Sequence, residues 1–318
     1  MRLVFAGTPD AAVPSLRALC TSPQHDVVAV ITQPDAPFGR GRKLRPSPLA
    51  LCAEEYGIPL LKPHSASDPE FLDQLAGYQP DCCPVVAYGQ LLRPSALVIP
   101  PHGWVNLHFS LLPQWRGAAP VQSAIAAGDE LSGATTFQLD EGMDTGPIFG
   151  SVTEAIRPTD TSDTLMQRLA QYGARLLVDT MDGIAEGSLQ PLPQPTEGVS
   201  YTSKISTEDA RIRWALPAHL VDRHIRAMTP APGAWSMLGE MRVKIGGIEP
   251  LHPAAVQRLD HAGLTLTPGQ LFFTGKHVLV GTATDAIQLS AVQAPGKKMM
   301  AAPEWARGAH LRGDEVMQ

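Results

Sequence analysis

Three polar side chains have the chemistry needed to stabilise an oxyanion and to move one proton. They are the amide of Asn106, the imidazole of His108 and the carboxylate of Asp144. Fixed amide and imidazole donors stabilise developing negative charge, and an imidazole beside a carboxylate can relay a proton. Because no serine or cysteine stands beside a basic partner in a nucleophile-elbow pattern, the sequence favours direct transfer between two bound substrates over a covalent enzyme intermediate.

The segment that carries the first two groups predicts a strand followed by a loop. Trp104–His108 alternates apolar and polar side chains, which predicts a strand with one buried face and places Asn106 and His108 on the same side. The following Ser110-Leu111-Leu112-Pro113 breaks this alternation, and Pro113 removes a donor and fixes φ. We therefore expect a loop whose free backbone groups can bind a polar ligand.

Asp144 lies between Gly142 and Gly146, which permit a tight turn and close backbone approach. A carboxylate in such a turn could fix the tautomer of His108 and accept a proton through it or through water. Taken singly, each residue also has an ordinary structural interpretation. His108 could be a hydrogen-bonded residue at a strand end, and Asp144 a turn former that caps its own backbone.

Strand and helix signals alternate in the first part of the chain, which predicts an α/β fold with a Rossmann-like, doubly wound and mostly parallel sheet. Functional sites in such sheets lie beyond the carboxyl ends of strands, where His108 falls. The turn at Gly7-Thr8-Pro9-Asp10 lacks the dinucleotide-binding glycine spacing, so we expect a strand-to-helix turn there and no nicotinamide site. The predicted strands are Leu3–Ala6, Val27–Ile31, Ile58–Leu61, Cys82–Ala87 and Trp104–His108, and the predicted helices are Pro14–Leu19 and Pro48–Tyr56.

The second part of the chain predicts a connector and a further domain. A strand pair at Ala134–Leu139 and Ile148–Ile156 precedes a helix over Ser162–Ile184. Three prolines then stiffen an extended connector, so we expect domains at 1–188 and 205–318 joined by a linker at 189–204. After a helix at Ala218–Met228, short strands predict a small β-barrel: Trp235–Leu238, Val243–Ile248, Leu271–Phe273, Val278–Val280 and Ile287–Leu289.

Composition indicates a globular protein with two domains. The 318 residues are 44% hydrophobic and 18% charged, without an apolar run of about eighteen residues and without a signal peptide, so we expect a cytoplasmic protein. The four cysteines show no C-x-x-C spacing and the ten histidines form no ligand cluster, so no metal is predicted. The net charge of −6 is uneven, since residues 1–199 carry 12 Lys and Arg against 21 Asp and Glu, and residues 200–318 carry 13 against 10. The basic excess of the second part is weak evidence for an anionic partner.

A basic stretch runs from Pro34 to Pro48, with Arg40, Arg42, Lys43 and Arg45 interleaved with glycines. These cations repel one another, and little apolar material is present to order the segment. Two interpretations stay open: a solvated loop, or a loop that a phosphate backbone orders.

Together these motifs resemble the folate-dependent formyltransferases, and the W-R-G-A-A-P sequence with the basic loop narrows the resemblance to members that act on methionyl-tRNA. It covers nearly the whole chain. The residues that carry it are Asn106-x-His108, Ser110–Gln122 (S-L-L-P-x-W-R-G-A-A-P-x-Q), Asp140–Gly146 (D-x-G-x-D-T-G), Phe5–Asp10, Thr32–Asp35, Gly39–Lys43, Pro46–Pro48, Val86–Gly89, Lys204-Ile205, Ala210–Trp214 and Pro295–Met299.

The resemblance implies transfer of the formyl group of 10-formyltetrahydrofolate, as co-substrate, to the α-amino group of methionine esterified to initiator tRNA. It implies catalytic roles for Asn106, His108 and Asp144, an OB-like fold for the C-terminal barrel, and no metal. We expect a monomer without membrane association. The implied folate contacts are Val86, Tyr88, Gly89, Leu91, Ser110, Leu111, Leu112 and Pro113, and the implied tRNA contacts are Arg40, Arg42, Lys43, Arg45, Lys204, Lys297 and Lys298.

Two positions depart from the family pattern: Phe109 is bulkier than the usual small residue, and Gln114 replaces a common basic one. Two alternatives remain. One is formyl transfer to another amine, such as an amino sugar or glycinamide ribonucleotide, which would need neither the basic loop nor the basic C-terminal part. The other is a non-catalytic RNA-binding protein, which would not consume formyl-folate.

Overall fold

Two compact units make up the described chain, which in this computed structural model comprises residues 1–38, 43–311 and 315–318. The first unit contains Met1–Pro120, Leu131–Ala155 and Met166–Thr202. The second contains Val121–Glu130, Ile156–Leu165 and Ser203–Gln318. The expected connector after residue 188 thus groups with the first unit as far as Thr202.

A seven-stranded sheet forms the centre of the first unit. The strands up to Thr202 are β1 (Arg2–Gly7), β2 (Asp26–Ile31), β3 (Ala36–Phe38), β4 (Lys43–Arg45), β5 (Leu60–Leu61), β6 (Cys83–Val86), β7 (Trp104–His108), β8 (Arg116–Gly117), β9 (Leu131–Gln138), β10 (Ile148–Ala155) and β11 (Tyr201–Thr202). The helices up to residue 185 are α1 (Val13–Thr21), α2 (Pro48–Glu55), α3 (Pro69–Gly77), α4 (Pro94–Leu97), α5 (Pro120–Ala127) and α6 (Ser162–Ala185).

The order of strands confirms the predicted Rossmann-like sheet. It runs β10-β9-β7-β6-β1-β2-β5, with parallel pairing from β7 to β5 and antiparallel pairing of β9 with β7 and β10. Helical crossovers return the chain to the same edge before each parallel strand, so the carboxyl ends of β1, β2, β6 and β7 share one edge. His108 is the last residue of β7 and lies at that edge.

Local sequence explains where several helices begin. Proline occupies the first turn of α1, α2, α3 and α4, where its missing N–H would have no helical partner. Ser47 caps α2 by accepting a hydrogen bond from Ala50 N, and Asp68 caps α3 by accepting one from Glu70 N. The apolar core of β1 is fully buried from Leu3 to Ala6, which holds the sheet between its two helical layers.

Three expectations are corrected by the fold. β7 is buried along both faces, with only Asn106 half-buried, because Ala96 of α4 packs against Trp104 on one face and Gly173 of α6 against Leu107 on the other. The basic segment is partly regular, since β3 and β4 pair as an antiparallel hairpin that satisfies their backbone groups. The strand predicted over Ile58–Leu61 is reduced to Leu60–Leu61, because Gly57 and Pro59 precede it. Arg40 and Arg42 lie outside the described residues.

The small β-barrel predicted for the second unit is found as an antiparallel half-barrel sheet. Its strands are β12 (Trp235–Leu238), β13 (Met241–Glu249), β14 (Leu271–Phe273), β15 (Val278–Val280), β16 (Ile287–Gln293) and β17 (Met300–Ala301), and its later helices are α7 (Ala218–Met228), α8 (Pro253–His261) and α9 (Ala302–Gly308). The strand order is β12-β13-β16-β15-β14, with β17 beside β16.

The C-terminal segment connects the two edges of this sheet. Gln318 exchanges two backbone hydrogen bonds of 2.8 Å with Met237 of β12, and Leu271 N of β14 donates to Glu315 O at 2.9 Å. Backbone groups of both edge strands therefore find partners within the chain, as is common for edge strands.

None of the described helices is long and apolar enough to cross a membrane. All four cysteines are free; Cys20 is half-buried and Cys52, Cys82 and Cys83 are buried. Burial raises the pKa of the Cys20 thiol to about 11, so this cysteine stays protonated at neutral pH.

Candidate active site

His108 is nearly buried at the carboxyl end of β7, and the backbone fixes its ring. Its Nε2 lies 2.9 Å from the carbonyl oxygen of Trp115. A carbonyl can only accept a hydrogen bond, so Nε2 carries a proton, and Nδ1 of the neutral ring is left with its lone pair. This Nδ1 faces Asp144 Oδ2 at 3.6 Å. The ring is thus oriented with its proton-accepting nitrogen toward the carboxylate.

The carboxylate of Asp144 is held by the backbone N–H of Gly117 and not by His108. Its Oδ2 accepts a hydrogen bond of 2.7 Å from Gly117 N, whereas 3.6 Å to Nδ1 is too long for a hydrogen bond. The tautomer of His108 is therefore fixed by Trp115, and not by Asp144 as the sequence suggested. Glycine is required at position 117, because φ is +116° and an added Cβ would lie 2.1 Å from Thr202 O.

Gln194 clamps the turn that presents Asp144. Asp144 has a left-handed backbone with φ of 53°, which is costly for a residue with a side chain. Gln194 Nε2 donates to the carbonyl oxygens of both Asp144 and Gly146 at 2.8 Å. Its Oε1 accepts a hydrogen bond of 2.7 Å from Arg116 Nη2. One amide side chain thus ties the turn to the segment that holds both His108 and Asp144.

Ser200 supports the same segment from the other side. Its Oγ accepts from Trp115 N at 2.9 Å, and its carbonyl oxygen accepts from Arg116 N at 2.9 Å. β8 and β11 continue this contact as a parallel pair, with Arg116 opposite Tyr201. These residues were missed by sequence reasoning, because the proline-rich stretch that contains Gln194 and Ser200 has the composition of a linker and no periodic pattern.

Asn106 lies two residues before His108 on β7, between Val85 of β6 and Phe137 of β9. It is half-buried, and its amide makes no hydrogen bond with the described part of the chain. The structure brings His108 and Asp144 together and leaves the Asn106 amide available on the same strand. In chemical terms the arrangement offers one amide donor and one imidazole whose free nitrogen is backed by a carboxylate.

The loop after β6 lies at the same sheet edge. Val86 and Tyr88 are buried, while Gly89 and Leu91 are exposed. Thr8 Oγ1 and Gln33 Nε2, which follow β1 and β2, donate to Tyr88 O at 2.8 and 3.2 Å and so fix the loop. The buried Tyr88 hydroxyl has no hydrogen-bond partner among the described residues. Burial also raises the pKa of Tyr88 to about 12, so the hydroxyl is a neutral donor.

The Ser110–Pro113 loop is more occupied than the sequence suggested. Thr135 Oγ1 donates to Ser110 O at 2.7 Å and accepts from Leu112 N at 3.2 Å. Pro113 O accepts from Ser200 N at 3.3 Å. Contrary to the expectation of free groups, these three backbone groups are engaged within the protein. Leu111 is half-buried, and Leu112 and Pro113 are buried.

The remaining predicted positions lie on surfaces or in the core. Lys43, Arg45, Lys204, Lys297 and Lys298 are exposed, the first two in the first unit and the others in the second. Of the two departures from the family pattern, Phe109 is buried with 5% of its surface exposed, so its bulk is packed, and Gln114 is exposed. Within the described ranges, no group of three or more His, Cys, Asp or Glu could hold a metal ion.

Comparison with known proteins identifies the family. Residues 1–181 match the model of the formyl transferase family, and residues 204–310 match that of the formyl transferase C-terminal domain. The chain belongs to the formyl transferase family. It is 58% identical over 309 residues to a methionyl-tRNA formyltransferase of Mycolicibacterium gilvum (strain PYR-GCK), covering 97% of each chain. It is also 58% identical over 315 residues to a methionyl-tRNA formyltransferase of Thermobifida fusca (strain YX), covering 99% of this chain and 98% of that one.

A solved structure shares the fold of this formyl transferase at low sequence identity. HypX from Aquifex aeolicus, in complex with tetrahydrofolic acid, superposes with a TM-score of 0.68 at 17% identity over 98% of this chain. The present chain spans 48% of the length of that protein. The superposition supports the two-part architecture, and the close relatives establish that the chain is an enzyme of this family.

Proposed function

We propose that this chain transfers the formyl group of 10-formyltetrahydrofolate to the α-amino group of methionine carried by initiator tRNA. The observation that carries the proposal is the backbone-fixed pair of His108 and Asp144 at the carboxyl edge of a Rossmann-like sheet, with Nδ1 and Oδ2 at 3.6 Å. The two relatives at 58% identity, both methionyl-tRNA formyltransferases, support this acceptor over an amino sugar or glycinamide ribonucleotide.

We assign folate binding to the loop after β6. A flat ring with polar edges needs apolar walls and a few fixed donors and acceptors. Tyr88 supplies a buried hydroxyl without a partner in the described chain, and its ring packs among apolar residues such as Leu92 and Ala96. Ala87 and Gly89 have a positive φ, 49° and 85°, and are exposed on either side of the buried Tyr88, so the loop presents its backbone at these two positions. When bound, the folate supplies an activated formyl carbonyl on its N10.

The residues of this chain then have separate tasks in the transfer. The amine attacks in its neutral form, the new nitrogen–carbon bond forms, and the carbonyl oxygen gains negative charge. Asn106 is the donor to that oxygen, and one such donor is worth about 2.7–4 kcal/mol in other enzymes. His108 Nδ1 takes the proton released by the amine, since Nε2 is occupied by Trp115 O. The proton is returned as the bond to N10 breaks, so that the enzyme ends in its starting state.

Asp144 stabilises the imidazolium that exists between these two events. At 3.6 Å, opposite unit charges attract by about 4–5 kcal/mol at an effective dielectric constant of about 20. Both side chains are mostly buried, so salt screens this attraction only weakly. Because Gly117 N already fixes the carboxylate, little reorganisation is needed when His108 becomes charged.

Binding of the tRNA is assigned to basic residues in both parts of the chain. We assign folate binding and catalysis to the domain at 1–188 and tRNA binding to the barrel domain at 205–318 of a monomer, with the connector at 189–204 belonging to the first unit as far as Thr202. Lys43 and Arg45, both exposed on β4, follow Arg40 and Arg42 in the chain. In the second unit, we assign phosphate contacts to Lys204, Lys297 and Lys298, which are exposed. Such contacts fix the position of an RNA without reading its sequence.

The test is a single incubation series. The purified chain is mixed with 10-formyltetrahydrofolate and methionine-charged initiator tRNA, and N-formylmethionine is released from the tRNA and quantified. Parallel reactions contain uncharged tRNA, an amino sugar nucleotide or glycinamide ribonucleotide. We expect formylation of the charged tRNA alone. Preferred formylation of either small amine would refute the tRNA assignment, and binding of RNA without consumption of formyl-folate would refute an enzymatic role.

A further inference from the structure

A cavity of about 520 Å³ opens beside the turn that carries Asp144. Its walls come from the turn itself and from the proline-rich segment that precedes β11. The lining residues are Arg116, Thr145, Pro147, Pro193, Gln194, Pro195, Thr196, Val199 and Tyr201. The volume lies within the range of about 300–1,000 Å³ that is typical of small-molecule sites. Thr145 follows Asp144 in the chain, and Gln194, another lining residue, donates to Asp144 O at 2.8 Å, so an occupant of this cavity would contact the turn that carries Asp144.

Arg116 gives the cavity a buried positive charge. The residue is 8% exposed, and its Nε and Nη2 share one acceptor, Gln194 Oε1. Its Nη1 lies 3.4 Å from the Tyr201 hydroxyl, and the guanidinium carbon lies 5.9 Å from the centre of the Tyr201 ring. No carboxylate of the described chain forms an ion pair with it. The Arg116 guanidinium therefore lines the cavity, its described partners are neutral, and some of its N–H groups are left to bind a ligand.

Burial of a guanidinium costs free energy unless an anion binds to it. Burial of an unpaired charge is unfavourable, and arginine is the side chain best suited to bind phosphate through two parallel hydrogen bonds. Pro147 and Pro195 add apolar surface to the lining, and the Tyr201 ring, 61% of whose residue surface is exposed, lies beside the guanidinium. An aromatic ring next to an arginine is the combination that receives a nucleotide, by base stacking and phosphate binding.

We propose that this cavity binds the terminal nucleotide of the acceptor strand, with its phosphate on Arg116 and its base against Tyr201 and the proline wall. This inference rests on the proposed function and names the part of the substrate that the site receives. The methionyl ester is attached to that same nucleotide. Its capture next to Asp144 would deliver the α-amino group to the reaction centre, and positioning of this kind is a large part of bimolecular catalysis.

The second anion available in the reaction is the glutamate tail of the folate, and the experiment separates the two sources. Two small acceptors are compared: the 3′-methionyl ester of adenosine, and the same ester with a 5′-phosphate. For the wild-type enzyme we expect kcat/KM to be at least about tenfold higher with the phosphate, as one charge-assisted contact allows.

Thr196→Trp fills the cavity from an exposed lining position and should raise KM for the phosphorylated acceptor, with KM for formyl-folate unchanged. Thr196→Glu places a negative charge near Arg116 and should remove most of the gain from the phosphate. Leu192→Trp is the matched control, since Leu192 is 70% exposed on the same segment and does not line the cavity. It should behave as wild type, and melting temperatures of all variants verify folding.

The outcomes separate this inference from the proposed function. If the wild-type enzyme formylates methionyl-tRNA but gains nothing from the 5′-phosphate, the cavity does not bind the terminal nucleotide. If Thr196→Trp raises KM for formyl-folate and not for the acceptor, the cavity binds the folate tail. If the wild-type enzyme formylates neither ester nor methionyl-tRNA, the proposed function itself fails, and this inference with it.

Discussion

Gln194→Leu removes the clamp on the Asp144 turn while keeping a side chain of similar size. The substitution deletes the hydrogen bonds of 2.8 Å to the carbonyl oxygens of Asp144 and Gly146, each worth about 1 kcal/mol. The left-handed backbone of Asp144, with φ of 53°, costs about 1–3 kcal/mol. The two lost hydrogen bonds together contribute about 2 kcal/mol, which is similar to the strain at Asp144, so the turn should leave its left-handed conformation. The fraction of molecules in which the Asp144 carboxylate faces His108 should then fall by up to about 30-fold.

We therefore expect kcat to fall by about 10- to 30-fold, with KM for formyl-folate within about twofold of wild type. Single-turnover formylation at saturating substrate measures the chemical step directly. The midpoint of urea unfolding should also fall, because the Arg116 guanidinium loses its main acceptor, a contact worth about 1.5–3 kcal/mol.

Gln190→Leu is the matched control, since Gln190 is exposed on the same segment and its side chain makes no hydrogen bond within the described residues. It should leave both turnover and stability unchanged. If Gln194→Leu retains more than half of the wild-type single-turnover rate, the clamp does not position Asp144 and the geometric explanation of the site is wrong.

Four further predictions concern the reaction centre, the folate, the tRNA and the pH dependence of stability. His108→Ala and Asp144→Ala should each lower kcat by at least about tenfold to a hundredfold in a folded protein, and wild-type turnover in both would remove them from the chemistry. Tyr88→Phe deletes a buried hydroxyl without a partner in the described chain, so thermal stability should hold or rise while KM for formyl-folate increases; an unchanged KM would exclude the hydroxyl from folate binding. Arg40→Ala should weaken use of charged tRNA and flatten its salt dependence, and identical rates at every salt concentration would return that segment to a solvated loop. Burial lowers the pKa of His25 although Asp182 lies 2.9 Å away, so the folded state binds this proton less readily than the unfolded one. The contribution of neutral His25 to the free energy of unfolding is fully present above about pH 6.5 and declines as the pH falls below that value. Urea unfolding of His25→Phe should show a smaller loss between pH 7.5 and pH 5.5, and equal losses in both proteins would contradict the assignment.

Much of the fold follows from local patterns. The strands at Trp104–His108, Trp235–Leu238, Leu271–Phe273 and Val278–Val280, and the helix at Ala218–Met228, have the bounds that the sequence predicts. These elements depend on runs of a few residues, whose apolar period is legible without any knowledge of their partners. Helix α3 was missed although Asp68 and Pro69 mark its start, because a capping signal of two residues is common in turns as well.

Burial and pairing were decided by the tertiary structure. The alternation of Trp104–His108 predicts one solvated face, whereas β6 and β9 flank the strand and helices cover it. The basic segment contains few apolar residues, so its composition predicts little order, yet Ala36–Phe38 and Lys43–Arg45 satisfy each other's backbone groups. The composition of a segment indicates how much apolar surface it can bury, but it does not indicate which other segment will pack or pair with it.

The sequence by itself determined which chemical groups are available: the amide of Asn106, the imidazole of His108 and the carboxylate of Asp144, each near a predicted strand end or turn. Only the tertiary structure decided how these groups are held. Trp115 O selects the proton position on His108, Gly117 N anchors Asp144, and a segment with the composition of a linker contributes Gln194 and Ser200. The physical reason is separation along the chain, since Gln194 lies 50 residues from Asp144 and Ser200 lies 85 residues from Trp115. Hydrogen bonds over such distances leave no period in the sequence, because folding of the whole unit creates them.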